Sequence, residues 1–142
     1  DTHDGNLGGA ARGVDTAERE ADAQGSTSSF RALVRAVRGR LRFEASDLTN
    51  ARRLAEEAIA LDPLCADAHL LLADVATEGD GDPIPSLRSA AAGTFPMPEV
   101  FGRLAMRLGR GAEACAFARL YDARAHDGYD QDAVDEVLDH CD

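Results

Sequence analysis

Lysine and tryptophan are both missing from the 142 residues, and aromatic side chains make up only 5% of them. A core without Trp and with so few rings must be assembled from Ala, Leu and Val. Such small side chains let backbones approach closely, which suits helix packed on helix better than a sandwich or a barrel. No apolar run approaches the length that crosses a bilayer, and no signal peptide is visible. Positive charge is also scarce: fifteen Arg face twenty-six Asp plus Glu, a formal net charge of −11. An acidic surface favours solubility and on average repels nucleic acid and anionic membranes. The missing lysines, with Asp exceeding Glu, suggest a GC-rich bacterial or salt-adapted source. A first residue of Asp rather than Met reads as a processed form or a piece of a longer protein.

Cysteine is sparse and odd in number: Cys65, Cys115 and Cys141. The first two sit in Ala-rich helical patterns, where cysteine serves as a small apolar residue. The expectation is therefore core cysteines without a disulfide framework, in a reducing, cytoplasmic compartment. The four histidines show no metal-ligand spacing, and the adjacent pair His140-Cys141 makes a poor site without further ligands. Asp80-Gly81-Asp82 lacks the other oxygen ligands of a calcium loop and reads as a turn. Gly8-Gly9 has neither the strand nor the Lys of a phosphate loop. No base is placed beside a cysteine, so no catalytic set, cofactor or metal is expected.

What is present is helical periodicity. Residues 1–29 are rich in Gly, Ser, Asp and Ala, bury too little to offset chain entropy, and are expected to form a disordered acidic tail. A brief helix over residues 14–24 is the one element expected there. The ordered domain is expected over residues 30–142. Leu33, Val34, Val37 and Leu41 recur at helical spacing, with Arg31, Arg35, Arg38 and Arg42 on another face. Asp47 can cap a second helix whose apolar stripe is Leu48, Ala51, Leu54, Ala55, Ala58 and Ile59. Pro63 stops it, and residues 66–76 resume with Ala68, Leu71, Leu72 and Val75 inward. A connection this short lays the two helices side by side in opposite senses. Further helices are expected over 85–92, 100–108, 112–125 and 130–140. No run with strand composition competes.

A shift of 33 residues superposes Leu54, Leu87 and Leu120, and also Ala51, Ile84 and Phe117. It takes Pro63 to Pro96, Ala58 to Ala91, and Leu71 to Leu104 and Val137, while Ala68, Phe101 and Val134 align as well. The run Ala51-x3-Ala55-x2-Ala58-x4-Pro63 resembles the second helix of a tetratricopeptide repeat, with Ala55 where the family usually has an aromatic. Phe101-x2-Leu104-Ala105-x2-Leu108 looks like the family's first helix, and His69-x2-Leu72-Ala73-x2-Ala76 is a weaker version. In the most amino-terminal unit only Gly39 falls in the family frame. For residues 112–125, Ala114 or Phe117 can take the small-residue place. The resemblance spans residues 30–140 and implies an all-α solenoid: about three antiparallel helical hairpins plus a carboxy-terminal capping helix.

That resemblance implies a non-catalytic scaffold that binds a partner peptide or protein on a concave face lined by the first helices. The outward residues of those helices are Asp67, Leu70 and Asp74 on one unit and Arg103, Arg107 and Arg110 on the next. Arg107 and Arg110 suit a carboxylate by paired hydrogen bonds, although charge runs are usually solvated faces. Charge is also segregated along the chain. Residues 30–53 hold seven Arg against Glu44 and Asp47, a net of +5; residues 120–142 hold Arg124 against eight acids, a net of −7. The alternative is a regulatory domain whose basic helix, residues 31–42, touches nucleic acid or an acidic partner. No aromatics interleave with these arginines, so internal neutralisation or head-to-tail self-association accounts for them better.

Overall fold

Thr27 opens the first helix, its Oγ1 accepting the Phe30 N–H at 3.3 Å, and α1 runs Ser28–Glu44. The coordinates, a computed structural model, describe residues 12, 13, 16, 19, 27–94, 96–125 and 130–142. The tail expected over residues 1–29 lies outside the described residues, apart from four positions and the start of α1. Of the helix expected over 14–24, only Thr16 and Arg19 are described, and both are helical.

Each later boundary has a local cause. Asp47 caps α2 (Leu48–Leu61), accepting the Asn50 N–H at 3.2 Å, and Asp62 before Pro63 turns extended to end it. Helix α3 is Ala66–Glu78, and α4 (Ile84–Ala91) starts with Pro85 in its first turn. Pro98 begins α5 (Pro98–Leu108), two residues ahead of the expected start. Gly109 and Gly111, with φ of 76° and 103°, make the tight turn into α6 (Ala112–Arg124), and α7 is Gln131–Leu138. Among the described residues the fold is all-α, with a single isolated bridge between Cys65 and Thr94 and no strand.

Packing follows chain order. Helix α1 lies on α2 and α3, α2 on α3, α3 on α4, α4 on α5, α5 on α6 and α7, and α6 on α7. Among the described residues most of the buried apolar side chains fall into four small clusters. Ala32, Ala36, Ala58, Cys65 and Ala68 form the first, and Ala51, Ala55, Leu71 and Val75 the second. Leu70, Ala73, Leu87, Ala90, Val100 and Leu104 form the third. Phe101, Ala105, Ala114, Ala118, Tyr121, Val134 and Val137 form the last.

The burial pattern corrects the expected inward faces in two places. On α1 the residues against α2 and α3 are Ala32, Ala36 and Gly39, whereas Leu33 and Val37 are 40% and 43% exposed. The reason is distance: a Cβ on Gly39 would fall 2.6 Å from Leu71 Cδ2 and 3.2 Å from Leu54 Cβ, so the helices meet on their smallest residues. The 33-residue shift holds for first helices, since Leu71, Leu104 and Val137, and Ala68, Phe101 and Val134, are all buried. It fails on α6, where Leu120 is exposed and Ala114, Ala118 and Tyr121 are buried. Their spacing repeats that of Ala51, Ala55 and Ala58, which are buried on α2.

The cysteine expectation is also overturned. Cys115 on α6 and Cys141, just past α7, form a disulfide with Cα atoms 5.9 Å apart. Their 26-residue separation hid a pair that the packing of α7 on α6 brings together. The reducing-compartment reading rested on unpaired cysteines and loses that basis. Cys65 alone is a free, buried core cysteine, and burial raises its thiol above the ordinary range. No described helix is long and apolar enough to cross a membrane.

Candidate functional site

Asp74 sits late in α3, facing α1 on one side and α5 on the other. Its side chain is only 16% exposed. Arg40 of α1 donates to its Oδ2 at 2.6 Å, and Arg103 of α5 donates to its Oδ1. Arg103 also donates to Glu99, one turn before it on α5, at 3.1 Å. One carboxylate therefore ties together three helices, and charge-assisted bonds of this kind are the stronger ones. Arg40 further lies over the Phe43 ring, 5.3 Å from its centroid.

The six residues named from the sequence separate into three groups here. Leu70 is not a surface contact: it is 2% exposed and packs in the third cluster, because α3 is covered by α2 on one side and by α4 on the other. Asp74 and Arg103 are consumed by their mutual ion pair. Arg107 and Arg110 are exposed and make no ion pair with a described residue, while Asp67 is half-exposed in the first turn of α3.

Three clefts converge on Met106, a residue the sequence reading did not single out. The first lies between α3, α4 and α5, walled by Ala73, Thr77 and Leu87 and edged by Asp74, Arg103 and Arg107. The second, about 720 Å³, is lined by Met97, Pro98, Met106, Tyr121 and Ala125, with Glu99, Arg103 and Asp130 at its edge. The third runs between α5 and α7, past Arg110, Ala133, Glu136 and His140. Met106 projects among all three because Phe101, Leu104 and Ala105 take the buried face of α5. An unbranched thioether at such a point adapts to differently shaped apolar groups. The only signal in the sequence was a Met on the outward face of an amphipathic helix, which composition alone does not distinguish from any exposed residue.

Tyr121 is the other residue the sequence left unassigned. Its ring covers Gly102, where a Cβ would fall 2.8 Å from the ring, and its hydroxyl accepts the Asp130 N–H at 3.0 Å. That bond fixes the start of α7 relative to α6. Phe101 and Phe117 stack beside it at 6.1 Å, and Arg124 lies over Phe101 at 5.6 Å.

Two arginines of α1 and one of α2 are engaged internally. Arg35 pairs with Glu57 at 2.9 Å, as does Arg53 at 2.8 Å, and Arg40 pairs with Asp74. Among the described residues no group of three or more His, Cys, Asp or Glu is arranged to hold a metal ion. Comparison with protein-family models, with curated proteins and with solved structures gives no match.

Proposed function

We propose that the chain is a tetratricopeptide-like helical array that binds a peptide or an extended segment of a partner protein along the face where the clefts meet at Met106. The observation that carries this reading is the convergence itself: an adaptable apolar side chain at the junction of three clefts, with the exposed Arg107 and Arg110 beside it. Apolar side chains of a ligand would enter the clefts, and Arg107 and Arg110 would hold its carboxylates. Packing confined to helices near in sequence, and an interior split into successive clusters, support a layered array over a single closed bundle. The arginines of α1 paired to Glu57 and Asp74 weigh against the nucleic-acid alternative.

A displayed peptide library panned on the immobilised full chain tests this. Enrichment of acidic peptides carrying bulky apolar residues is expected. That enrichment is lost on Met106→Glu and on Arg107→Glu/Arg110→Glu, with helicity by circular dichroism unchanged. Peptides retained equally by these variants, or no enrichment at all, would refute the site. Arg103 is unsuited to such a test, because reversing its charge sets like charges against Asp74 and Glu99.

A further inference from the structure

Helix α7 closes the fourth cluster and walls the third cleft, yet little in its own sequence keeps it in place. It has eight residues, well below the length at which an isolated helix is stable in water. Among the described residues no side chain caps its start, and no basic residue sits in its last turn. Asp135, Glu136 and Asp139 lie near its carboxy-terminal end, where the helix dipole disfavours negative charge. Its burial amounts to Val134 and Val137 with part of Leu138. At its start the Tyr121 hydroxyl holds Asp130 and Asp122 accepts from Gln131 at 3.0 Å; at its far end stands the Cys115–Cys141 bond.

We propose that this disulfide is a redox latch on α7, and through it a regulator of the binding face described above. With the bond formed, α7 stays docked, Phe101, Ala105, Ala118 and Tyr121 stay covered, and the third cleft keeps its wall beside Arg110. Reduction by a cellular dithiol opens it. A thiolate of the reductant attacks one of the two sulfurs and the S–S bond breaks to a mixed disulfide. The reductant's second thiol resolves that species, leaving two protein thiols and the reductant as a disulfide. Both cysteines are half-buried rather than enclosed, so the bond lies near the surface. With only the Arg119–Asp142 hydrogen bond of 2.9 Å left at its far end, α7 leaves the α5–α6 surface. The regulatory role rests on the proposed binding face; the latch itself does not.

Hydrogen exchange on the full chain, oxidised and then reduced with a phosphine, tests the latch. Amides of residues 131–139 are expected to exchange on the order of 10²-fold faster after reduction, the size of the loop-closure constraint removed, while α1 to α4 keep their protection. Fluorescence of 1-anilinonaphthalene-8-sulfonate rises as the cluster is uncovered, and Cys115→Ser/Cys141→Ser reproduces the reduced state. Unchanged protection of α7 overturns the proposal, and so does loss of protection throughout the chain, which makes the bond a global staple. Because exchange reads α7 directly, this result and the peptide-panning result can fail independently.

Discussion

Replacing Gly39 by alanine adds one methyl group where α1, α2 and α3 come closest, and two opposing effects decide the outcome. An alanine inside a helix is favoured over glycine by about 0.8–1 kcal/mol through backbone entropy and propensity. Against this, the new Cβ lies 2.6 Å from Leu71 Cδ2, 3.2 Å from Leu54 Cβ and 3.3 Å from the Ala51 carbonyl oxygen. Leu71 is fully buried and Leu54 nearly so, so neither side chain has room to swing away. Overpacking of this kind costs typically 1–3 kcal/mol. The clash exceeds the propensity gain, and a net loss of about 1–2 kcal/mol is expected, or roughly 5 °C in Tm for a chain of this size. Urea unfolding followed by far-ultraviolet circular dichroism measures it. Leu71→Ala supplies the second arm: alone it costs about 2–5 kcal/mol, but it removes the closest atom, so the double variant is expected to be more stable than the sum of the singles by about 1 kcal/mol. A Gly39→Ala protein more stable than the parent, or strict additivity with Leu71→Ala, would refute the three-helix junction.

Asp74→Ala removes the shared partner of Arg40 and Arg103 and is expected to cost about 2 kcal/mol, discounted because both guanidinium groups are about one-third exposed. Asp74→Asn is expected to cost less than Asp74→Ala in the same urea titration, since it keeps one acceptor. At Asp47 the Asn50 side-chain amide and then the Asn50 backbone N–H hold the carboxyl below its ordinary pKa. A depressed folded-state pKa contributes stability above the unfolded value that is lost as pH falls through the folded one. Asp47→Ala is therefore expected to lower Tm at pH 7, with the difference from the parent closing below pH 3.8; a difference that persists at pH 2 would contradict the capping role.

The helices were readable because their signals are local: Asp47 before an apolar stripe, the Asp62-Pro63 stop, and the glycines flanking Arg110 act within a few residues. Burial of Ala68, Leu71 and Val75 on α3 followed from periodicity for the same reason. On α1 periodicity misled in part: Val34 of the expected stripe is buried, but Leu33 and Val37 are exposed, and close contact is made by Ala32, Ala36 and Gly39. Hydrophobicity reports what gains from burial; close approach of three backbones selects for what fits. The candidate site was half legible. Exposure of Arg107 followed from helix phase, whereas Arg110 lies past the end of α5 in the turn between Gly109 and Gly111; the engagement of Asp74 and Arg103 depends on α1 and α5 flanking α3, which no spacing encodes. Leu70 was misassigned because α3 has two buried faces. The Cys115–Cys141 bond was invisible because it depends on how α7 packs against α6.

An interior partitioned into four alanine-rich pockets, none of which reaches across the molecule, also governs how the chain comes apart. Load or heat applied at one end has no shared centre to collapse, so damage stays with the pocket where it starts. If the four act as separate units stacked in a row, hydrogen exchange is expected to open the ends first and the helices around Leu71 and Leu104 last.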